Sequence, residues 1–171
     1  MTFLRSLING IDAFTEHCGR LLACLALVMA LLTAFIVVLR YGFNMGSIVS
    51  QEAVTYMHGA LFLLGAAYAL KTGAHVRVDI FYRRFSPRGQ AWVNAIGAIV
   101  CLLPLCAFIL LSSLDYVSES WSMRESSPEP GGIPAVYLLK TLIPLSAMTL
   151  ALQGVAELLR DTLTLVAGDH S

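Results

Sequence analysis

The sequence predicts an all-α integral membrane protein with four transmembrane helices. Of its 171 residues, 57% are hydrophobic and 13% are charged, whereas a soluble domain is about 45–50% apolar and about 25% charged. Four stretches of about 18–21 residues carry almost no charge, and a soluble fold of this size could not bury all of them. The balance of 11 basic and 11 acidic residues argues against a nucleic-acid-binding protein, which would show a basic excess.

The first span is predicted at residues 21–39, between Arg20 and Arg40. A cleaved signal peptide is the alternative, but its apolar core is usually only about 7–15 residues long, so a retained span is favoured. Residues 1–20 precede it and have apolar side chains at helical spacing. This pattern predicts an amphipathic helix on the cytoplasmic membrane surface, with an apolar face made of Leu4, Leu7, Ile8, Ile11, Phe14 and Cys18.

The other spans are predicted at about 53–70, 91–111 and 134–152. Together with the first they form a membrane domain at 21–160, followed by a short tail at 161–171. Pro104 and Pro144 lie inside the last two spans, where a kink is the usual result. Pro134 suits the first position of a helix.

Between the second and third spans, residues 74–85 are predicted to form a second amphipathic helix at the interface. A strand is the alternative, but isolated at a membrane surface it would leave backbone groups unpaired. If the N-terminus is cytoplasmic, the inner segments hold eight Lys and Arg residues and the outer segments hold three. The positive-inside rule therefore predicts that both termini face the cytoplasm.

The sequence contains none of the common catalytic motifs. It has no Gly-rich phosphate loop, no H-E-x-x-H and no G-x-S-x-G, so we expect neither enzymatic activity nor a bound cofactor or metal. Three of the four cysteines lie within apolar runs and none forms a C-x-x-C pair. Reduced, structural thiols are predicted.

Glu52 and Lys140 are charged residues near the predicted outer ends of the second and fourth spans. A charge in lipid costs from about 2.5 kcal/mol upward unless it is paired or reaches the headgroups. Three interpretations of Lys140 stay open: it extends to the outer headgroups, it pairs with Glu52, or it binds an acidic group on a partner protein.

His58 is the only histidine within a span, about 9 Å deeper than Glu52. It either forms a hydrogen bond inside its own helix bundle or contacts another subunit. Gly65 and Ala69 form a small-x-x-x-small pair that permits close helix approach. At the end of the first span, Arg40 and Tyr41 are candidates for an interfacial anchor or for a contact with phospholipid or a partner.

These features, in this order, resemble the small membrane (permease) subunit of tripartite ATP-independent periplasmic (TRAP) transporters, the DctQ-like family. The resemblance covers roughly residues 20–160, and its most specific part is GAHVRVD at 73–79. Many relatives have a tryptophan just before the Ser-x-Glu motif, where this chain has Ile48 and Val49. The other matching segments are RYGFN at 40–44, SQE at 50–52, GAA at 65–67, ESSP at 125–128, GGIP at 131–134, Lys140 and QG at 153–154.

The resemblance implies an accessory subunit that braces the large, many-span subunit of a sodium-coupled importer. It also implies that sodium and substrate bind to the large subunit, and that a periplasmic binding protein delivers an organic acid or similar solute. The functional residues carried over are interface or anchoring candidates with no catalytic part, namely Arg40, Glu52, His75, Arg77 and Asp79.

Two other functions compete with this one. A membrane anchor for a redox complex would need cofactor ligands completed by a partner, with His58 the only candidate within a span. A self-assembling four-span pore would need a wet lumen, which the uncharged centres of three spans disfavour.

Overall fold

The computed structural model describes residues 2–74, 82 and 85–167, which form four long helices. All four are long and apolar enough to cross a membrane, and the described residues contain no strand. The prediction of an all-α integral membrane protein is therefore confirmed, whereas the helix predicted at 74–85 lies mostly outside the described residues. We label the helices α1 (Thr2–Gly42), α2 (Ile48–Lys71), α3 (Pro87–Ser122) and α4 (Val136–Ala167).

The helix α4 is the centre of the bundle, because it packs against each of the other three. On one side it contacts α1 and α2, which also contact each other, and on the other side it contacts α3. Some of the most deeply buried residues lie on α4, including Ala147, Gln153 and Ala156.

The N-terminal amphipathic segment continues into the first span as a single helix of 41 residues, about 60 Å long. No proline interrupts residues 2–42, and the position of the segment at the membrane interface stays a prediction. Its buried positions are Ile8, Ile11, Thr15 and Gly19, so the amphipathic part packs more tightly than the apolar part. A Cβ at Gly19 would lie 2.7 Å from Cγ of Tyr68 on α2, and glycine therefore allows this close contact.

Local capping makes the helices longer than the predicted spans. Ser47 accepts a hydrogen bond from the Ser50 amide at 3.3 Å, so α2 begins at Ile48 rather than at 53. The prediction that Pro134 opens the fourth helix is wrong, since α4 begins at Val136. The Val136 amide donates to the Glu125 carbonyl at 3.1 Å, which satisfies a donor that the first helical turn leaves free.

The third helix contains a π-helical turn at Ala98–Leu102, just before Pro104. The Leu103 amide bonds to the Ala98 carbonyl, five residues earlier. Proline has no amide hydrogen and its ring clashes with the carbonyl four residues back. The wider turn accommodates the proline within one continuous helix.

Candidate functional site

Two groups of connected polar side chains lie toward opposite ends of α4 in the described part of the chain. We call the first the loop cluster, because it holds the loop between α3 and α4; it consists of Glu52, Ser120, Glu125, Ser127 and Lys140. We call the second the terminal network, because it joins the start of α1 to the last turns of α4; it consists of Asp12, Thr15, Gln153, Glu157 and Arg160.

Glu52 fixes the loop to the first turns of α2. One carboxylate oxygen accepts a short hydrogen bond from the Ser127 hydroxyl, and the other accepts one from the Ile133 amide at 2.6 Å. A Cβ at Gly132 would lie 2.7 Å from Glu52 Oε1, so glycine is required for the loop to approach this closely. Glu52 is thus an anchor for residues 127–133.

Lys140 pairs with Glu125 rather than with Glu52. Its Nζ lies 2.5 Å from Glu125 Oε2 and 4.0 Å from the centre of the Tyr116 ring. The Ser120 hydroxyl donates to the same carboxylate oxygen at 2.6 Å. The hydrogen bonds from Lys140 and Ser120 lower the pKa of Glu125. Of the three interpretations left open for Lys140, the direct pair with Glu52 is not the one observed, since Lys140 pairs with Glu125 and Glu52 binds Ser127 and Ile133.

We expect charge reversal to distinguish a Lys140–Glu125 pair from a Lys140–Glu52 pair. Lys140→Glu should lower the Tm of the detergent-solubilised protein by a few degrees, because it places a second carboxylate beside Glu125. The double variant Glu125→Lys/Lys140→Glu should recover much of that loss in the same thermal unfolding measurement. Glu52→Lys/Lys140→Glu is the control and should give no recovery; recovery there would contradict the observed pairing.

Gln153 is the centre of the terminal network and is fully buried. Its carbonyl oxygen accepts a hydrogen bond from the Thr15 hydroxyl at 2.8 Å. Its amide nitrogen donates to Asp12 and to Glu157, both at 3.1 Å. A side chain from α4 therefore bonds to α1 at two points, Thr15 and Asp12, and to Glu157 within α4.

Ion pairs surround Gln153 at the same end of the bundle. Arg160 reaches Asp12 at 2.6 Å and Glu157 at 2.5 Å. From α2, Lys71 bonds to the Glu16 carboxylate at 2.8 Å and to the Asp12 carbonyl at 2.9 Å. The start of α1 is thus tied to both α2 and α4.

The remaining predicted site residues lie apart from these two groups. Arg40 and Tyr41 are exposed at the end of α1, with Tyr41 83% exposed. His58 is exposed on α2. His75, Arg77 and Asp79 lie outside the described residues, so their roles stay predictions.

Sequence reasoning did not identify the terminal network or the role of Glu125. Asp12 lies outside the apolar face predicted for the N-terminal segment, and Gln153 belongs to the QG segment of the family resemblance. Asp12 and Gln153 come into contact because of how α1 crosses α4, and no local sequence pattern specifies that crossing. The described residues contain no group of three or more His, Cys, Asp or Glu side chains arranged to hold a metal ion.

Comparison with known proteins gives one family. The model of the DctQ component of tripartite ATP-independent periplasmic transporters matches residues 29–164. A Haemophilus influenzae protein named "Putative TRAP transporter small permease protein" is 31% identical over 130 residues, which are 75% of this chain and 76% of that protein. A Vibrio cholerae protein named "C4-dicarboxylate TRAP transporter small permease protein DctQ" is 25% identical over 132 residues, 74% of this chain and 56% of that protein. No solved structure matches significantly.

Proposed function

Because this chain belongs to the family of the DctQ component, the small permease subunit of TRAP transporters, we propose that it braces a larger transport subunit in the bacterial inner membrane. The larger subunit would import an organic acid or a similar small solute together with sodium. Proteins of this family work with a large membrane subunit and a periplasmic binding protein. The same two partners are proposed for this chain.

The near absence of charged residues within the predicted spans supports this proposal. Residues 21–39, 53–70 and 91–111 contain no Asp, Glu, Lys or Arg, and 134–152 contain only Lys140, which pairs with Glu125. Solute and ion pathways in transporters are usually marked by ionisable groups at mid-membrane. A chain whose charges pair at its two ends is suited to support rather than to solute binding.

The two polar clusters would give such a support its stiffness. The terminal network and the loop cluster connect helices at opposite ends, while α1 leaves large apolar side chains exposed along its span. With both termini cytoplasmic, as the positive-inside rule predicts, the loop cluster would face the periplasm. The loop would then lie on the side from which a binding protein delivers solute.

Reconstitution tests the proposal. We expect this chain to co-purify with the large subunit when the two are expressed together. In proteoliposomes supplied with the binding protein, uptake should require both membrane subunits and an inward sodium gradient, and a panel of organic acids and neutral solutes would identify the substrate class. Uptake by the large subunit without this chain, or by this chain alone, would contradict the bracing role.

A further inference from the structure

One face of α2 is not covered by any other described helix. Gln51, Thr55, His58 and Phe62 are all exposed, and Phe62 is 71% exposed. Their spacing of four, three and four residues places them on one side of the helix. We call this side the open face of α2. It differs from the exposed apolar surface of α1 because three of its four residues are polar.

His58 lies near the middle of the helix, about 15 Å from Ile48 and about 20 Å from Lys71 along the axis. A neutral imidazole has one donor and one acceptor, and no hydrogen bond joins His58 to the described part of the chain. In the predicted span at 53–70, His58 lies about 8 Å inside the outer end. A lipid tail supplies no hydrogen-bond partner there, and an unsatisfied polar group is costly in hydrocarbon. The open face of α2 thus leaves His58 without a hydrogen-bond partner in the isolated chain.

A groove continues the open face from Phe62 toward Lys71. Its volume is about 640 Å³, and it lies between α2, α3 and α4. Toward Lys71 its α2 wall consists of the small residues Gly65, Ala66 and Ala69, and nearer Phe62 it also includes Leu61 and Leu63. Ser146 and Ala147 of α4 line the opposite side. A Cβ at Gly65 would meet nothing within 4 Å. The groove therefore has room for bulky side chains from another helix, since small residues permit close approach.

We infer that the open face of α2 and the groove together bind one transmembrane helix of the large subunit. That helix presents a hydrogen-bonding side chain opposite His58 and bulky apolar side chains to the groove. A lipid tail would fill the groove but leave His58 without a partner, whereas a helix satisfies both. The inference rests on the proposed function, because it identifies where the larger subunit binds.

Photo-crosslinking tests the location. In the purified complex of both membrane subunits, p-benzoylphenylalanine at position 62 should crosslink to a membrane helix of the large subunit, identified by mass spectrometry. The same group at Leu31, which is 63% exposed on α1, is the control and should crosslink mainly to lipid. Crosslinking of position 62 to a second copy of this chain, to lipid alone, or no more strongly than position 31 would overturn the inference.

Substitution of His58 tests the hydrogen bond. His58→Leu should weaken the affinity for the large subunit about 3- to 15-fold, while His58→Gln retains most of it. The Tm of the isolated chain should not fall, because His58 has no internal partner. His17→Leu, at another exposed histidine, is the matched control and should leave the affinity unchanged; an unchanged affinity in His58→Leu would refute the hydrogen bond.

Failure of the proposed function and failure of the proposed binding site on α2 give different results. If the natural chain does not co-purify with the large subunit, the proposed function itself is wrong. If it co-purifies and position 62 does not reach the large subunit, only the location on α2 is wrong.

Discussion

Replacing Gln153 with leucine should lower the Tm of the detergent-solubilised protein by roughly 5–10 °C. The side chain is fully buried and bonds to Thr15, Asp12 and Glu157. Leucine has a similar volume but cannot bond, so these three groups would lose a buried partner. An unsatisfied buried group costs about 1–3 kcal/mol in proteins, whereas a hydrogen bond between membrane helices averages about 0.6 kcal/mol. Because Arg160 still binds both carboxylates, we expect a total loss of about 2–3 kcal/mol.

Two further variants show whether the loss comes from the network. Thr162→Val removes an exposed hydroxyl that bonds only to the Leu159 carbonyl on the same helix, and its Tm should stay within about 1 °C of the natural protein. Thr15→Val removes a single hydrogen bond to Gln153 and should give a smaller loss than Gln153→Leu. A Tm for Gln153→Leu equal to that of Thr162→Val would show that the terminal network does not stabilise the bundle.

Composition and apolar runs were sufficient to predict four membrane helices. Lipid requires a long, nearly uncharged segment for each span, and this requirement is visible in the sequence itself. The ends of the helices were less accessible, because they depend on capping contacts. The Ser47 cap starts α2 early, and the contact between Val136 and Glu125 starts α4 two residues after Pro134.

The partners of the charged residues could not be predicted from their depth alone. Glu52 and Lys140 were expected at similar depth, which allowed a direct pair. In the structure, the loop between α3 and α4 instead folds back across the end of the bundle. Arg124, near the start of this loop, has a left-handed backbone conformation at φ 48°. The returning loop supplies Glu125 to Lys140 and the Ile133 amide to Glu52. Contacts of this kind depend on a tertiary path that no local pattern specifies.

The terminal network and the loop cluster stabilise different parts of the bundle. The terminal network joins helices to one another, so its loss affects the whole fold. The loop cluster joins a loop to helix ends, so its loss should open one region and leave the helices in place. Global unfolding therefore reports most strongly on the terminal network, whereas changes in the loop cluster shift the Tm by only a few degrees and are resolved best by local hydrogen exchange.

Glu52→Ala should release the loop without unfolding the helices. The carboxylate accepts hydrogen bonds from the Ser127 hydroxyl and the Ile133 amide, and bonds to a charged group contribute about 1.5–3 kcal/mol each. Because Glu52 is only part-buried, we expect the free energy of opening to fall by about 2–3 kcal/mol. Exchange of the Ile133 amide should then be roughly 30- to 150-fold faster, as measured by hydrogen–deuterium mass spectrometry in detergent.

Matched variants determine whether the effect comes from the two hydrogen bonds. Glu52→Gln keeps one acceptor oxygen and should give an intermediate rate at Ile133. Glu129→Ala removes an exposed carboxylate from the same loop and should leave the rate unchanged, which controls for a general effect of lost negative charge. Amides in the middle of α4 should exchange at the natural rate in all three variants, since their bonds do not involve the loop. Faster exchange throughout α4, or no change at Ile133 in Glu52→Ala, would show that Glu52 is not a local anchor.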